Sequence, residues 1–347
     1  MSSDKNMDDI ATAIEQDVSL QTLTTMALPA RAAYFCRAEN EAQICAALCF
    51  AKQQQLPLCL LGGGSNLIFR GDFPGLVLHL ANRGIAILAE DADSVTVKVA
   101  AGEIWDEFLQ YCLQQGWYGL ENLAIIPGTV GAAPVQNIGA YGQEAGNCIA
   151  AVNGFVVDGA VSQRYEADAC HFAYRESVFK RELAGRFVIS SVEFRLHKQF
   201  TPCINYQPLA EYFAHQTQIM PEDVRRAVIN IRESKLPDPK KLANAGSFFK
   251  NPVVSNQQYQ ELLKQFPRLP AYPATHGQMK LAAGWLIEQC GWKGKQLGAV
   301  GMYAKQALVL VNHGGAVYAD VKQLVDVVKQ SVFDKFQVTL EQEPVLV

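Results

Sequence analysis

Residues 244 to 252 read NAGSFFKNP, and the group in them that could do chemistry is Ser247. A hydroxyl set between a glycine and two phenylalanines, with Lys250, Asn251 and Pro252 behind it, could be a nucleophile, a proton donor, a phosphate ligand or a turn former. A hydrolytic serine needs a Gly-x-Ser-x-Gly elbow with a histidine and an acid in reach, and Ala-Gly-Ser-Phe-Phe has no elbow. None of the six histidines pairs with a second at metal-ligand spacing, and there is no HExxH. Triad and metal mechanisms lose their support, and no metal is expected.

A second candidate is the run Gly62-Gly63-Gly64-Ser65-Asn66. It lacks the third glycine of GxGxxG and the Gly-Lys-Ser/Thr of a P-loop, and it leads into Leu-Ile-Phe, a strand, not a helix. Consecutive glycine amides can still form a concave nest that holds a pyrophosphate. Taken alone, a tight turn between strands is the commoner use of such residues. The balance shifts because a second stretch, GLENLAIIPGTVGAAPVQNIGAYG (119 to 142), is dense in Gly, Ala, Pro and Asn and yet interrupted by Leu, Ile and Val. It reads as a folded loop packed close to something flat or anionic.

The elements that must hold these groups are mixed. Apolar spacing predicts helices over 40–55 and 104–116, the latter closed by Gly116, and a helix opened by Pro221 with Glu222 and Asp223 in its first turn. Strands are predicted at 56–61, 94–103 and 186–196, with an Asp158-Gly159 hairpin signal. The prolines of KLPDPKK suggest a domain boundary near 237, and 347 residues exceed what one core usually supports. With 49% hydrophobic and 18% charged residues the chain reads as globular, and a net charge of -4 without a Lys/Arg stripe argues against nucleic acid as partner. The nine cysteines form no CxxC and read as reduced thiols used as small apolar residues. Cys45 and Cys49, one helical turn apart, are expected to pack rather than to bind metal. Apolar runs are strand-sized, so no membrane span is expected, and the acidic start lacks the form of a secretory signal; a cytoplasmic protein follows.

LGGGSNLIF, GLENLAIIPGTVGAAPVQNIGAYG, FAYRES, KLPDP, NAGSFFKNP and LAAGWLIEQ, in this order, resemble the UDP-N-acetylenolpyruvoylglucosamine reductase family, from about residue 20 to the C-terminus. The resemblance implies an α+β protein with a two-part FAD-binding domain, PCMH/vanillyl-alcohol-oxidase-like, plus a smaller α+β substrate-binding domain. The boundaries would be a tail at 1–19, subdomains at 20–70 and 71–236, the second joined by a C-terminal strand at 337–347, and a substrate domain at 237–336. It implies non-covalent FAD held by Gly62, Gly63, Gly64, Ser65, Asn66, Pro127, Gly128, Gly131, Gln136, Asn137 and Gly139, with NADPH as co-substrate and no separate Rossmann fingerprint. The implied reaction reduces UDP-N-acetylglucosamine enolpyruvate to UDP-N-acetylmuramate for peptidoglycan, by hydride from flavin N5 and a proton from Ser247.

By position within matching motifs, Arg175 of FAYRES resembles the family's catalytic arginine and Glu343 of LEQEP its catalytic glutamate, with Glu341 the fallback. Tyr206 resembles a tyrosine that closes over substrate in the branch with an extra loop, and Arg232, Lys235, Asn251 and Gln306 lie where that branch holds the sugar nucleotide. Two departures stand out. The chain has LEQEPVLV where the family usually reads Leu-Glu-Pro-Glu-Val-Arg, and Thr24-Thr25-Met26 where Asn-Thr-Phe is common. The protein is expected to act as a monomer on small molecules. Two other classes stay open: an FAD-dependent oxidase of the wider class, which would consume oxygen rapidly when reduced, and a non-catalytic nucleotide-sugar binding protein, which would be colourless.

Overall fold

The computed structural model describes residues 14–347, so most of the segment read as an acidic tail lies outside the described residues. Its end does not stay a tail: Ile14–Ser19 is a strand beside Arg31–Ala38 at the border of a four-stranded sheet. Its polar sequence, exposed along most of its length, suits an edge position and carries little apolar alternation to betray a strand.

The chain divides into two compact units. The first takes residues up to 18, 32–63 and 73–232, and the second 19–31, 64–72 and 233–347. In the first, Arg31–Ala38, Phe73–Leu80 and Leu58–Leu61 lie parallel, in that order. Parallel neighbours need a crossover, and helix Glu41–Gln53 supplies it. Asn40 caps this helix by accepting the Gln43 amide at 2.9 Å, and Ile44, Ala47, Leu48 and Ala51 face a core with Cys36, Leu76 and Leu78.

The larger sheet of the same unit is antiparallel, in the order Val161–Glu166, Ile149–Val156, Phe187–His197, Ser94–Ala100, Ile85–Glu90. Helix Trp105–Gln115 packs on it because Trp105, Phe108, Leu109 and Cys112 recur every three or four residues and are all buried. Asp106 and Glu107 sit at the positive end of its dipole, and Gly116 closes it in the left-handed region at φ 73°. The Trp105 indole donates to the Leu123 carbonyl at 2.8 Å and Asp106 accepts the Ile125 amide at 2.8 Å, so this helix anchors the start of the second glycine-rich stretch.

In the second unit, Asn244–Ser247, Val309–Asn312, Val300–Met302 and Gln296–Leu297 form an antiparallel sheet. Helix Tyr318–Phe336 buries Val321, Leu324, Val325, Val328, Val332 and Phe336 in a core that also takes Met26 of the Thr-Thr-Met segment. The C-terminal strand does not join the 71–236 segment: Val345–Leu346 pairs in parallel with Leu67–Ile68, both within the second unit. Amides at 345 and 347 donate to the Asn66 and Ile68 carbonyls, and the Arg70 amide returns to Val347, each at 2.9 Å. The alternation of Val345 and Val347 therefore matches the ladder offered right after the glycine run. Among the described residues no helix is long and apolar enough to cross a membrane.

All nine cysteines are free, and Cys36, Cys59, Cys112, Cys148 and Cys170 are buried, as small apolar residues would be. Burial pushes the Cys59, Cys148 and Cys170 thiols up to about 12, aided at Cys148 by Glu121 and at Cys170 by Glu166. Since the thiolate is the reactive form, a pKa of about 12 leaves ~10⁻⁴ of it at pH 8. Iodoacetamide on the native protein should therefore modify exposed Cys49 first, and these three only after unfolding, as read by peptide mass spectrometry. Alkylation of Cys148 in the folded protein at the rate of Cys49 would contradict this burial.

Candidate functional site

The two glycine-rich stretches meet in the first unit. A Cβ on Gly63 would lie 2.8 Å from Gly128 Cα, and one on Gly62 would lie 2.7 Å from the Thr129 hydroxyl. At Gly63 this is backbone packed on backbone, which only glycine permits. The next residue, Gly64, counted with the second unit, has φ 64° and would put a Cβ 1.9 Å from the Leu23 carbonyl. Among the described residues, no protein acceptor takes the amides of Gly62, Gly63 or Gly128. Gly63 is exposed, Gly62 and Gly128 half-buried, so these donors sit at a surface open to a ligand.

The rest of the second stretch is tied to FAYRES. Ala173 and Glu176 exchange backbone hydrogen bonds of 3.1 and 3.0 Å, making a tight turn with Arg175 at φ 56° inside it. A non-glycine residue in that region signals a conformation imposed by its surroundings. Three bonds impose it: the Ser177 hydroxyl donates to the Val135 carbonyl at 2.5 Å, Asn137 Nδ2 to the Ala173 carbonyl at 3.2 Å, and Arg175 Nη2 to the Gly139 carbonyl at 2.8 Å. Asn137, only 1% exposed, also donates to Glu144 at 2.7 Å and accepts the Gly146 amide at 2.8 Å. Its side chain thus ties the loop to Glu144, Gly146 and Ala173. Pro127 is exposed, Gln136 and Gly139 are half-buried, and Gly131 is buried against Ala101.

Arg232 also lies in the first unit. Desolvation pulls its guanidinium below the ordinary value and nearby Arg175 adds to this, while Tyr141 and Asp106 oppose it. Its Nε is sealed from solvent with no hydrogen-bond partner, and it forms no ion pair among the described residues, whereas Arg225 reaches Asp106 at 2.7 Å. A desolvated guanidinium that feels a second one and has no ion-pair partner among the described residues makes an environment that favours an anion. Tyr206, 38% exposed, stands at the start of the short helix Gln207–Tyr212 with its ring edge-on to Tyr141, centroids 5.9 Å apart.

Ser247, Lys250, Asn251, Gln306, Lys235, Glu341 and Glu343 belong to the second unit. Ser247 ends the strand Asn244–Ser247, is exposed, and follows Gly246 at φ 64°. Asn244 holds that bend by accepting the Gly246 amide at 2.9 Å and donating to the Leu242 carbonyl at 2.8 Å. The C-terminal segment runs antiparallel to the residues just after Ser247. The Lys250 amide donates to Glu341, and the Glu343 amide to Phe248, at 2.9 and 2.8 Å, with Phe249 opposite Gln342. This register seats Glu343 opposite the residue next to Ser247. It gives Glu341 instead to Lys250, whose ammonium lies 3.2 Å from a carboxylate that is 73% exposed.

Asn251 and Gln306 do local work. Asn251 Oδ1 accepts the Ala283 amide at 3.0 Å, satisfying the first turn of helix Ala283–Gln289, and Gln306 Oε1 accepts the Leu308 amide at 3.4 Å. Lys235 ends its helix exposed. Two residues the motifs contain but composition does not single out, Ser177 and Asn122, hold the loop carrying Gly139 through the carbonyls of Val135 and Tyr141.

Comparison with known proteins follows the same division. A profile described as FAD binding domain matches residues 32–162, and one described as UDP-N-acetylenolpyruvoylglucosamine reductase, C-terminal domain, matches 238–347. The UDP-N-acetylenolpyruvoylglucosamine reductase of Chromobacterium violaceum is 48% identical over 334 residues, covering 95% of this chain and 98% of the relative. That of Dechloromonas aromatica is 47% identical with the same coverage. The crystal structure of the reductase from Thermus caldophilus superposes with a TM-score of 0.65 at 22% identity, over 96% of this chain and 98% of that one, which speaks for the shared fold. With near-half identity along almost its whole length, the chain belongs to the UDP-N-acetylenolpyruvoylglucosamine reductase family.

Proposed function

We propose that the chain performs the reaction its family is named for, the FAD-dependent reduction of UDP-N-acetylenolpyruvoylglucosamine in peptidoglycan precursor synthesis, with NADPH as electron source. The observation that carries this reading is the 48% identity over 95% of the chain. The residues present also fit a flavin dinucleotide. Gly62 and Gly63 have no room for a Cβ against Thr129 and Gly128, and with Gly128 they offer amides without protein acceptors among the described residues, the donor set a pyrophosphate needs. Ser65, Asn66, Pro127, Gly131, Gln136, Asn137 and Gly139 would complete the holding surface. Bound FAD supplies the hydride.

The chain's own residues then have two tasks: to stabilise negative charge that grows toward the substrate carboxylate, and to protonate the carbon beside it. The Arg175 guanidinium suits the first, because its turn is fixed by three hydrogen bonds and little reorganisation is needed as charge develops. The Ser247 hydroxyl suits the second, since an exposed hydroxyl on a bend held by Asn244 can keep one proton at a defined place. Glu343 is the better of the two C-terminal glutamates for a supporting role, because its amide bond to Phe248 seats it opposite the residue next to Ser247. Tyr206, Arg232, Lys235, Asn251 and Gln306 would recognise the sugar nucleotide, Arg232 by its charge beside Arg175. The protein would act in the cytoplasm as a monomer.

Two outcomes are expected. Ser247→Ala should leave flavin reduction by NADPH nearly intact in stopped flow and slow reoxidation by the enolpyruvyl substrate by about 10² to 10⁴-fold. Equal losses in both half-reactions would exclude Ser247 as proton donor. Gly63→Val should drive a side chain into Gly128, so that the protein purifies with FAD affinity lowered at least about tenfold while it still unfolds cooperatively. Full flavin occupancy in that variant, read from the visible absorbance, would remove the glycine cradle from the cofactor site.

A further inference from the structure

Asn122 is 2% exposed and follows Glu121 in the GLEN segment that opens the second glycine-rich stretch. Its carboxamide nitrogen donates twice, to the Tyr141 carbonyl at 2.8 Å and to the Cys203 carbonyl at 2.7 Å. Those carbonyls belong to segments about sixty residues apart in sequence. Tyr141 and Gly142, at φ 50° and 86°, make the two-residue turn of the hairpin whose strands are Gly139–Ala140 and Gln143–Glu144. Cys203 begins the segment that leads to Tyr206.

The contacts around this bridge run in one direction. A Cβ on Gly142 would lie 3.6 Å from Tyr206 Cβ and 3.7 Å from the Cys203 sulfur, so the Cys203–Tyr206 segment lies directly on the hairpin turn. The Tyr206 ring meets Tyr141 edge-on. On the other side of the turn the Gly139 carbonyl holds Arg175 Nη2. We propose that Asn122 is a positioning residue, whose carboxamide ties the Cys203–Tyr206 segment to the Tyr141 turn and so sets Tyr206 against the hairpin that holds Arg175. The inference rests on the reading of Tyr206 as a substrate residue. Only an amide nitrogen offers two hydrogens from one atom here. An aspartate would set a carboxylate against two carbonyl oxygens, a serine could serve one of them, and a leucine would leave both buried without a donor.

The test uses the FAD-loaded protein and a double-mutant cycle. Asn122→Leu is expected to raise KM for the enolpyruvyl substrate about tenfold, with FAD content unchanged and the saturating rate of flavin reduction by NADPH within about twofold. Asn122→Ser, which retains one donor, should fall between, and it serves if the leucine variant does not fold. Tyr206→Ala should raise the same KM, and the double variant should be little worse than Tyr206→Ala alone, because Asn122 acts through Tyr206. Additive effects, or equal losses in both half-reactions, would make Asn122 a general packing residue and overturn the proposal. A Tyr206→Ala protein with normal KM would show instead that the substrate reading of Tyr206 had failed, and the proposal would fall with it.

Discussion

The backbone contact between Gly63 and Gly128 is the constraint on which the first unit's candidate site depends. Two loops from distant parts of the sequence approach until a Cβ would lie 2.8 Å from the opposing Cα, and their amides become one surface. The second loop is in turn the support for the Arg175 turn, through the carbonyls of Val135 and Gly139 and the side chain of Asn137. Each such bond contributes on the order of 1 kcal/mol, and all three act on one short turn. A shift of the glycine contact would therefore be felt at the guanidinium, although Arg175 touches neither Gly63 nor Gly128 in sequence.

Charge is managed differently at the three nearby arginines. Arg225 is paired with Asp106, and that aspartate also fixes the Ile125 amide, so this pair is part of the scaffold. Arg232, by contrast, is desolvated, has an Nε without a partner, and sits where Arg175 opposes its charge. A buried cation without a carboxylate is costly unless an anion arrives. Such a setting suits a carboxylate or phosphate, and it groups Arg232 electrostatically with Arg175.

Much of this was legible in the residues, and the reasons are local. Gly116 closes the helix as its position announced, and the motifs singled out Arg175, Ser247 and both glycine runs as candidates. What was not legible depends on hydrogen bonds between segments far apart in sequence, which leave no periodicity. Asn137, expected at the cofactor, also joins Glu144, Gly146 and Ala173; Asn251, expected at the sugar nucleotide, also satisfies a helix end; and nothing local marks Asn122. The strand Ile14–Ser19 escaped because an exposed edge needs no apolar face.

The departure at the C-terminus shows how a register can survive a changed motif. In the antiparallel ladder beside Phe248, Phe249 and Lys250, the chain spends the carbonyl of Glu341 and the amide of Glu343. The amide of Gln342, opposite Phe249, points away from that ladder, as alternate amides of an antiparallel pair must. A proline at 342, where the family usually has it, would thus cost no ladder bond, and neither does the proline moved by two residues to 344. Moving it by one, to 343, would remove the Glu343 amide bond to Phe248 and with it the contact that seats this residue beside Ser247. Because a strand repeats every two residues, LEQEP and the family's Leu-Glu-Pro-Glu are interchangeable ladders, and the glutamate at 343 keeps its place in both.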